Sequence, residues 1–153
     1  TVSISRDMSM LTVARANLDK AGIANAQVRQ GDIFAPPVER DAFDLVTIHQ
    51  VLHYLDDPAR AIREAARLLR PAGRLVIVDF APHALEFLRD QHAHMRLGFS
   101  DRQIAEWFAE AGQEFEPRGQ AEARLTVKLW LGRDRRMLIA DPSNDTLPAR
   151  ETA

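Results

Sequence analysis

The sequence predicts a doubly wound α/β domain. Three observations predict it. Phe43 to Ile48 is an apolar run with few polar positions, as expected of a strand covered on both faces. Leu75 to Val78 is a second such run, more apolar still. Between them lies a helical pattern opened by Asp57-Pro58, an N-cap followed by proline at the first helical position. Strand, helix and strand in that order argue for a parallel βαβ unit.

The remaining elements follow in chain order. Asp7 or Ser9 caps a first helix that runs to about Lys20, with Met8, Leu11, Ala14 or Arg15, and Leu18 at helical spacing. Gly22 stands where a helix C-terminus favours a left-handed residue. "AQVRQGDIF" reads as a short strand ending near Gly31, and "APPVERDA" as a proline-broken loop. In the helix after Asp57, the apolar stripe is Ile62, Ala65, Ala66 and Leu69. Arg60, Arg63, Glu64, Arg67 and Arg70 face outward, and "RPAGR" ends the helix. Ser100-x-x-Gln103 is a capping box for a helix ending at Gly112. "RLTVKLWLGR" alternates, with Leu125, Val127, Leu129 and Leu131 on one face. It reads as a late strand beside the sheet edge, antiparallel in a mixed sheet. The domain is expected over residues 1–140, and residues 141–153, "DPSNDTLPARETA", read as a flexible tail.

Composition narrows the function classes. The chain has 153 residues, of which 46% are hydrophobic and 27% charged, enough for one domain with a core. A formal net charge of −2 gives no support to a nucleic-acid or membrane surface within this segment. There is no cysteine, hence no disulfide framework, thiolate metal site or cysteine nucleophile. No apolar run approaches the roughly 20 residues of a membrane span, and "TVSISRDMSM" lacks the apolar core of a signal peptide. The expected location is cytoplasmic. The chain starts without methionine and inside a structural element, which reads as a fragment.

Ligands of doubly wound sheets lie at the carboxyl ends of the strands. That rule selects Gly31-Asp32-Ile33, His49-Gln50-Val51 and Asp79-Phe80. Gly31 permits close backbone approach, Asp32 can accept from an exocyclic amine, and Ile33 can cover a flat ring; a tight turn with a solvated aspartate is the alternative. His49 and Gln50 can line a cleft, and an imidazole there can serve as a base. His49 and His53 would share a helix face at i, i+4, a zinc spacing, but no third ligand is near. His53 otherwise reads as a partly buried helix residue beside Tyr54. His83, His92 and His94, with Glu86 and Asp90 between them, read as a polar helical cover, and no metal is expected. No glycine-rich nucleotide loop, Walker loop or nucleophile elbow occurs.

The ordered series "VRQGDIF", "FDLVTIHQVLHYLDDPARAIREAARLLRPAGRLVIVDF" and "LGFSDRQIAEWFAEAG" resembles class I S-adenosylmethionine-dependent methyltransferases, over most of Arg6 to Arg133. "DFAPHALEFLRDQHAHMRLGFSD" and "LTVKLWLGRD" resemble a subgroup often fused to an upstream ArsR-type winged-helix DNA-binding domain. The resemblance implies a Rossmann-like sheet of the class I methyltransferase type, incomplete at its N-terminus. It implies S-adenosylmethionine as cofactor, and methyl transfer to an unidentified small-molecule acceptor. In the family's map, Asp32 takes the adenine amino group and Ile33 lies beside the ring. His49 and Gln50 lie near the methionine part and the acceptor. Asp79 and Phe80 fall on the substrate side, and His83 to His94 form the variable cover. His49 is the first candidate base and His53 the second.

The sequence also departs from the family. The first strand and its glycine-rich loop would precede Thr1. The acidic residue that ends the second strand is replaced by Ser3 or Ser5, which offers a neutral hydrogen bond for a charge-assisted one. The family's sheet order, 3-2-1-4-5-7-6, would separate "AQVRQ" from "FDLVTI" by three strand spacings, roughly 14 Å. The chain is therefore expected either to pair its first strands directly against "FDLVTI" or to leave that edge open, and to bind cofactor poorly. Two rival readings remain: a cofactor- or metabolite-sensing module of a transcriptional regulator, and an inactive fragment.

Overall fold

The computed structural model describes residues 1–121 and 125–136; the expected tail, and the last residues of the 1–140 domain, lie outside the described residues. The chain begins with strand β1 (Val2–Ser5), helix α1 (Met8–Lys20) and strand β2 (Gln27–Gln30). β1 and β2 pair in parallel as a two-stranded sheet, Val2 opposite Gln27 and Ser5 opposite Gln30. The Asp7 carboxylate caps α1, accepting from the Ser9 and Met10 amides. Those bonds and the Ser9 hydroxyl hold its carboxyl below the usual range. Gly22 takes φ 64° just beyond the helix, the left-handed stop expected of it. Of the expected stripe only Leu11 is buried, and Met8 is half exposed.

The second sheet carries strands β3 (Phe43–His49), β4 (Leu69–Phe80), β5 (Gln113–Ala121) and β6 (Val127–Asp134), in the order β3-β4-β6-β5. β3 and β4 are parallel and joined through α2 (Pro58–Ala66). β6 lies antiparallel between β4 and β5, so the sheet is mixed, as expected. Helices α3 (Phe87–His92) and α4 (Asp101–Glu110) fall between β4 and β5. Asp57 caps α2 by accepting from the Arg60 amide, and the Ser100 hydroxyl caps α4 by accepting from the Gln103 amide.

The core lies between this sheet and the helices α2 and α4. Ile62, Ala65, Leu69, Leu75, Ile77, Ile104, Phe108 and Trp130 form one buried cluster. Each large apolar side chain there contributes roughly 1.5–3 kcal/mol of burial. Ile33 and Phe34, just after β2, pack against the same cluster, and Arg60 stacks over the Phe34 ring at 4.9 Å. That contact ties the N-terminal pair of strands to the larger sheet.

Four expectations need correction. α2 ends at Ala66 and not at Arg70, because Leu69 and Arg70 already belong to a twelve-residue β4, with Leu69 paired to Phe43. β3 is covered on one face only: Val46 and Ile48 turn inward, while Leu45 is 55% exposed. The core face of the last strand is that of Trp130, Gly132 and Asp134, not the leucine face, because the α4 side chain Phe108 sits against Gly132. β5 is an additional strand that the sequence pattern did not suggest. The outer edge of β3 has no partner strand among the described residues, so the open-edge arrangement is the one adopted.

Candidate functional site

One crossover builds β1-α1-β2 in the two-stranded sheet, and another builds β3-α2-β4 in the larger sheet. The carboxyl ends of the strands are where doubly wound sheets bind ligands. Gly31, Asp32 and Ile33 follow β2, His49 and Gln50 close β3, and Asp79 and Phe80 close β4.

At the end of β2, the Asp32 carboxylate accepts from the Phe34 amide at 3.0 Å and pairs with Arg6 at 3.0 Å. Its side chain is about one-third exposed, so lone pairs still face solvent. Arg6, Gln30, Gly31 and Asp32 line an open cavity of about 380 Å³. Asp32 thus makes the tight turn and also presents a carboxylate to a concave surface. A Cβ at Gly31 would collide with the Pro37 ring and with Ile4, so internal packing requires the glycine there. Ser5, at the end of β1, accepts from the Asp7 amide and is engaged in the start of α1.

At the end of β3, His49 is exposed and makes no side-chain hydrogen bond among the described residues. Gln50 turns the chain with φ 50°, a left-handed conformation unusual outside glycine, and its amide donates to the Val78 carbonyl at 2.7 Å. This reversal ends the strand and sends the chain into a single 3₁₀ turn, Leu52–Tyr54. His49 and His53 therefore do not share a helix face, and the zinc-like spacing has no geometric counterpart. Among the described residues, no three His, Asp or Glu side chains converge as a metal site.

His53 is the best-held polar side chain of the site. It is 1% exposed, and its Nδ1 lies 2.7 Å from Oδ1 of Asp79, which is fully buried. Asp79 Oδ1 also accepts from the Phe80 amide and Oδ2 from the Leu52 amide. Two backbone amides and one ring nitrogen thus converge on this carboxylate. The His53 ring touches Tyr54 at 4.0 Å, His94 at 4.2 Å and Phe80 at 5.0 Å between centroids. The Tyr54 contact was expected; the depth of burial and the aspartate were not.

The segment from His83 to Leu97 lies over this cluster. The Met95 and Arg96 amides both donate to the His53 carbonyl, Arg96 Nη2 donates to the Asp56 carbonyl, and the His83 amide donates to Leu97. Burial pushes the His83 and His94 imidazoles below their ordinary values; Glu86 opposes this at His83 and Asp79 at His94. Among the described residues, His94 Nδ1 and His83 Nε2 are buried without a hydrogen-bond partner, which suits neutral rings. His92 stands apart, exposed at the end of α3 against Phe87.

A family model described as a methyltransferase domain matches residues 1–124. The chain belongs to the methyltransferase domain family. The uncharacterized methyltransferase YcgJ of Bacillus subtilis (strain 168) is 30% identical over 118 residues, covering 71% of this chain and 45% of that protein. The ubiquinone/menaquinone biosynthesis C-methyltransferase UbiE of Vibrio parahaemolyticus serotype O3:K6 is 37% identical over 79 residues, covering 51% of this chain and 30% of that one. The chain spans less than half the length of either. The crystal structure of YcgJ superposes with a TM-score of 0.75 at 18% identity, over 88% of this chain and 82% of that one, a likeness of fold.

Within this methyltransferase domain, the pairing of His53 with Asp79 is the feature that the sequence did not suggest. The end of its strand marks Asp79 as a site residue without naming a partner. The available signal was a lone carboxylate closing the apolar run "RLVIVDF", since a buried acid requires donors. No helix among the described residues is long and apolar enough to cross a membrane.

Proposed function

We propose that this domain binds S-adenosylmethionine and serves methyl transfer to a small-molecule acceptor. The observation that carries the reading is the placement of Asp32, His49-Gln50 and Asp79 at the carboxyl ends of β2, β3 and β4. The residues present suit the adenine end of the cofactor. A partly exposed carboxylate, Asp32, stands beside a partly buried apolar side chain, Ile33, at the rim of an open cavity. Asp32 would accept from the adenine amine, Ile33 would pack on the ring, and His49 and Gln50 would line the path toward the acceptor. Bound there, the cofactor supplies an electrophilic methyl group on a cationic sulfur. The domain's part is then orientation and, for an acceptor that carries a proton, a base. His49 and His53 are the candidates for that base.

The relatives support methyl transfer without fixing the acceptor, because acceptor specificity belongs to the cover and not to the shared sheet. Isothermal titration of S-adenosylmethionine into the protein tests the reading. Saturable binding is expected. Absence of binding overturns it.

A further inference from the structure

We propose that Asp79 is a positioning residue for His53, and that His53 Nε2 is the proton acceptor of this site, serving an acceptor whose nucleophile must lose a proton. The acceptor class is a hydroxyl, phenol or carbon acid, as opposed to a thioether or tertiary amine. This rests on the methyl-transfer reading above and chooses between its two candidate bases.

The argument starts from the hydrogen bonds. The Leu52 and Phe80 amides can only donate, so Asp79 meets them as an accepting carboxylate. The same carboxylate, 2.7 Å from His53 Nδ1, then takes the proton on that nitrogen as a donor. In the neutral ring this leaves the lone pair on Nε2. The aspartate cannot swing away, because two backbone amides from different elements grip both of its oxygens. His49 has no such partner among the described residues: it is exposed, and neither its tautomer nor its orientation is set.

The geometry separates His53 from its neighbours. Its Nδ1 has the Asp79 carboxylate at 2.7 Å, whereas His94 Nδ1 and His83 Nε2 are buried with no hydrogen-bond partner among the described residues. Burial disfavours charge on both His94 and His83. Tyr54 also lies against the His53 ring. Glu86, Arg89 and His92 act on His83 or His94.

The step balances simply. The acceptor's X–H bond breaks, its proton joins Nε2, and its electron pair forms the new X–C bond. The S–C bond breaks with its pair kept on sulfur. The imidazolium then returns its proton to water. His53 is closed off by the 83–97 segment, so the step requires that segment to admit the acceptor beside the ring.

Two measurements test this without cofactor or acceptor. The first is ¹⁵N–¹H correlation of the histidine side chains at pH 7.5. A His53 proton on Nδ1, with Nε2 unprotonated, is expected; the opposite tautomer overturns the proposal. The second is acylation by diethyl pyrocarbonate, which needs a free and reachable imidazole lone pair, mapped by mass spectrometry. His53 is expected to react more slowly than exposed His49 but measurably in the native protein. Asp79→Asn should slow it about tenfold or more while leaving His49 unchanged, because the tautomer is no longer imposed. Inertness of native His53 overturns a catalytic role and leaves a structural pair. Asp79→Asn strips an acceptor from one backbone amide and can unfold the domain; the two wild-type measurements decide the matter in that event. Failure to bind S-adenosylmethionine would sink the methyl-transfer reading while leaving these readouts intact.

Discussion

Arg6 and Asp32 meet at 3.0 Å across the carboxyl ends of β1 and β2. The Arg6 side chain is 71% exposed, so the pair is worth little to stability, about 0–1 kcal/mol. It is therefore easily displaced. An amine on a ligand can replace Arg6 at the carboxylate without a large penalty.

The first prediction follows from that geometry. Asp32→Ala should weaken S-adenosylmethionine binding by about 1–3 kcal/mol, the scale of a hydrogen bond to a charged group. Arg6→Ala should leave affinity equal or slightly higher. Titration calorimetry on folded variants checks both, and an unchanged Asp32→Ala affinity would return Asp32 to the role of a simple turn residue.

The second prediction concerns pH and the cover. His94 and His83 have folded-state values lowered by burial. The unfolded chain therefore binds more protons than the folded one once pH falls below about 6.5, the ordinary histidine value. Their stabilising contribution is full above that value and declines as pH falls from there toward the folded values. Groups nearby are Asp79, His53, Glu86, Arg89 and His92. The cover should loosen first, because protonating His94 places charge beside the His53 ring. Hydrogen-exchange protection of the Met95 and Arg96 amides should fall between pH 7.5 and 5.5, and His94→Phe should flatten that dependence. Protection independent of pH would show that these rings do not titrate with the fold.

The third prediction concerns the root of the cover. Gly98 has φ 89°, and a Cβ there would run into the Ala81 carbonyl. Gly98→Ala is strained by both conformation and contact, so it should cost more than about 1 kcal/mol. The loss should appear in the urea midpoint, and the Phe99 amide, which donates to the Phe80 carbonyl, should lose exchange protection. By contrast Gly22→Ala, where a Cβ meets nothing within 4 Å, should show the conformational cost alone.

These sites differ in how readable they were from sequence. α2 and α4 announce themselves through Asp57-Pro58 and Ser100, whose side chains cap as short-range chemistry dictates. β3 and β4 are legible because an apolar run between turn signals has few alternatives. β5 was not, because "QEFEPRGQA" carries charges, a proline and a glycine; it is a strand because it finishes the edge against β6. The Asp79–His53 contact spans 26 residues and exists only because two parallel strands end side by side. No local pattern encodes it. The packing role of Gly31 was likewise not legible, because Pro37 and Ile4, which fill the place of its Cβ, lie away from it in sequence.

The last prediction concerns the open side of β3. That strand pairs with β4 on one side and with no strand on the other among the described residues. Its backbone groups on that edge are unsatisfied by the sheet, and Leu45 stands beside them half exposed. An edge of this kind, long and apolar with little charge, is a template for pairing with a second chain. Asp44 is the one charge within β3, and Arg70 engages it at 3.0 Å, so the strand has little electrostatic protection. Residues 1–153 should therefore self-associate on warming. Leu45→Lys adds a charge on the exposed face and removes apolar surface without touching the buried Val46–Ile48 face. It should leave the unfolding free energy within about 0.5 kcal/mol, as for a surface change, and raise the temperature at which light scattering begins. If the substituted chain scatters at the same temperature as the parent, the surface that associates lies elsewhere.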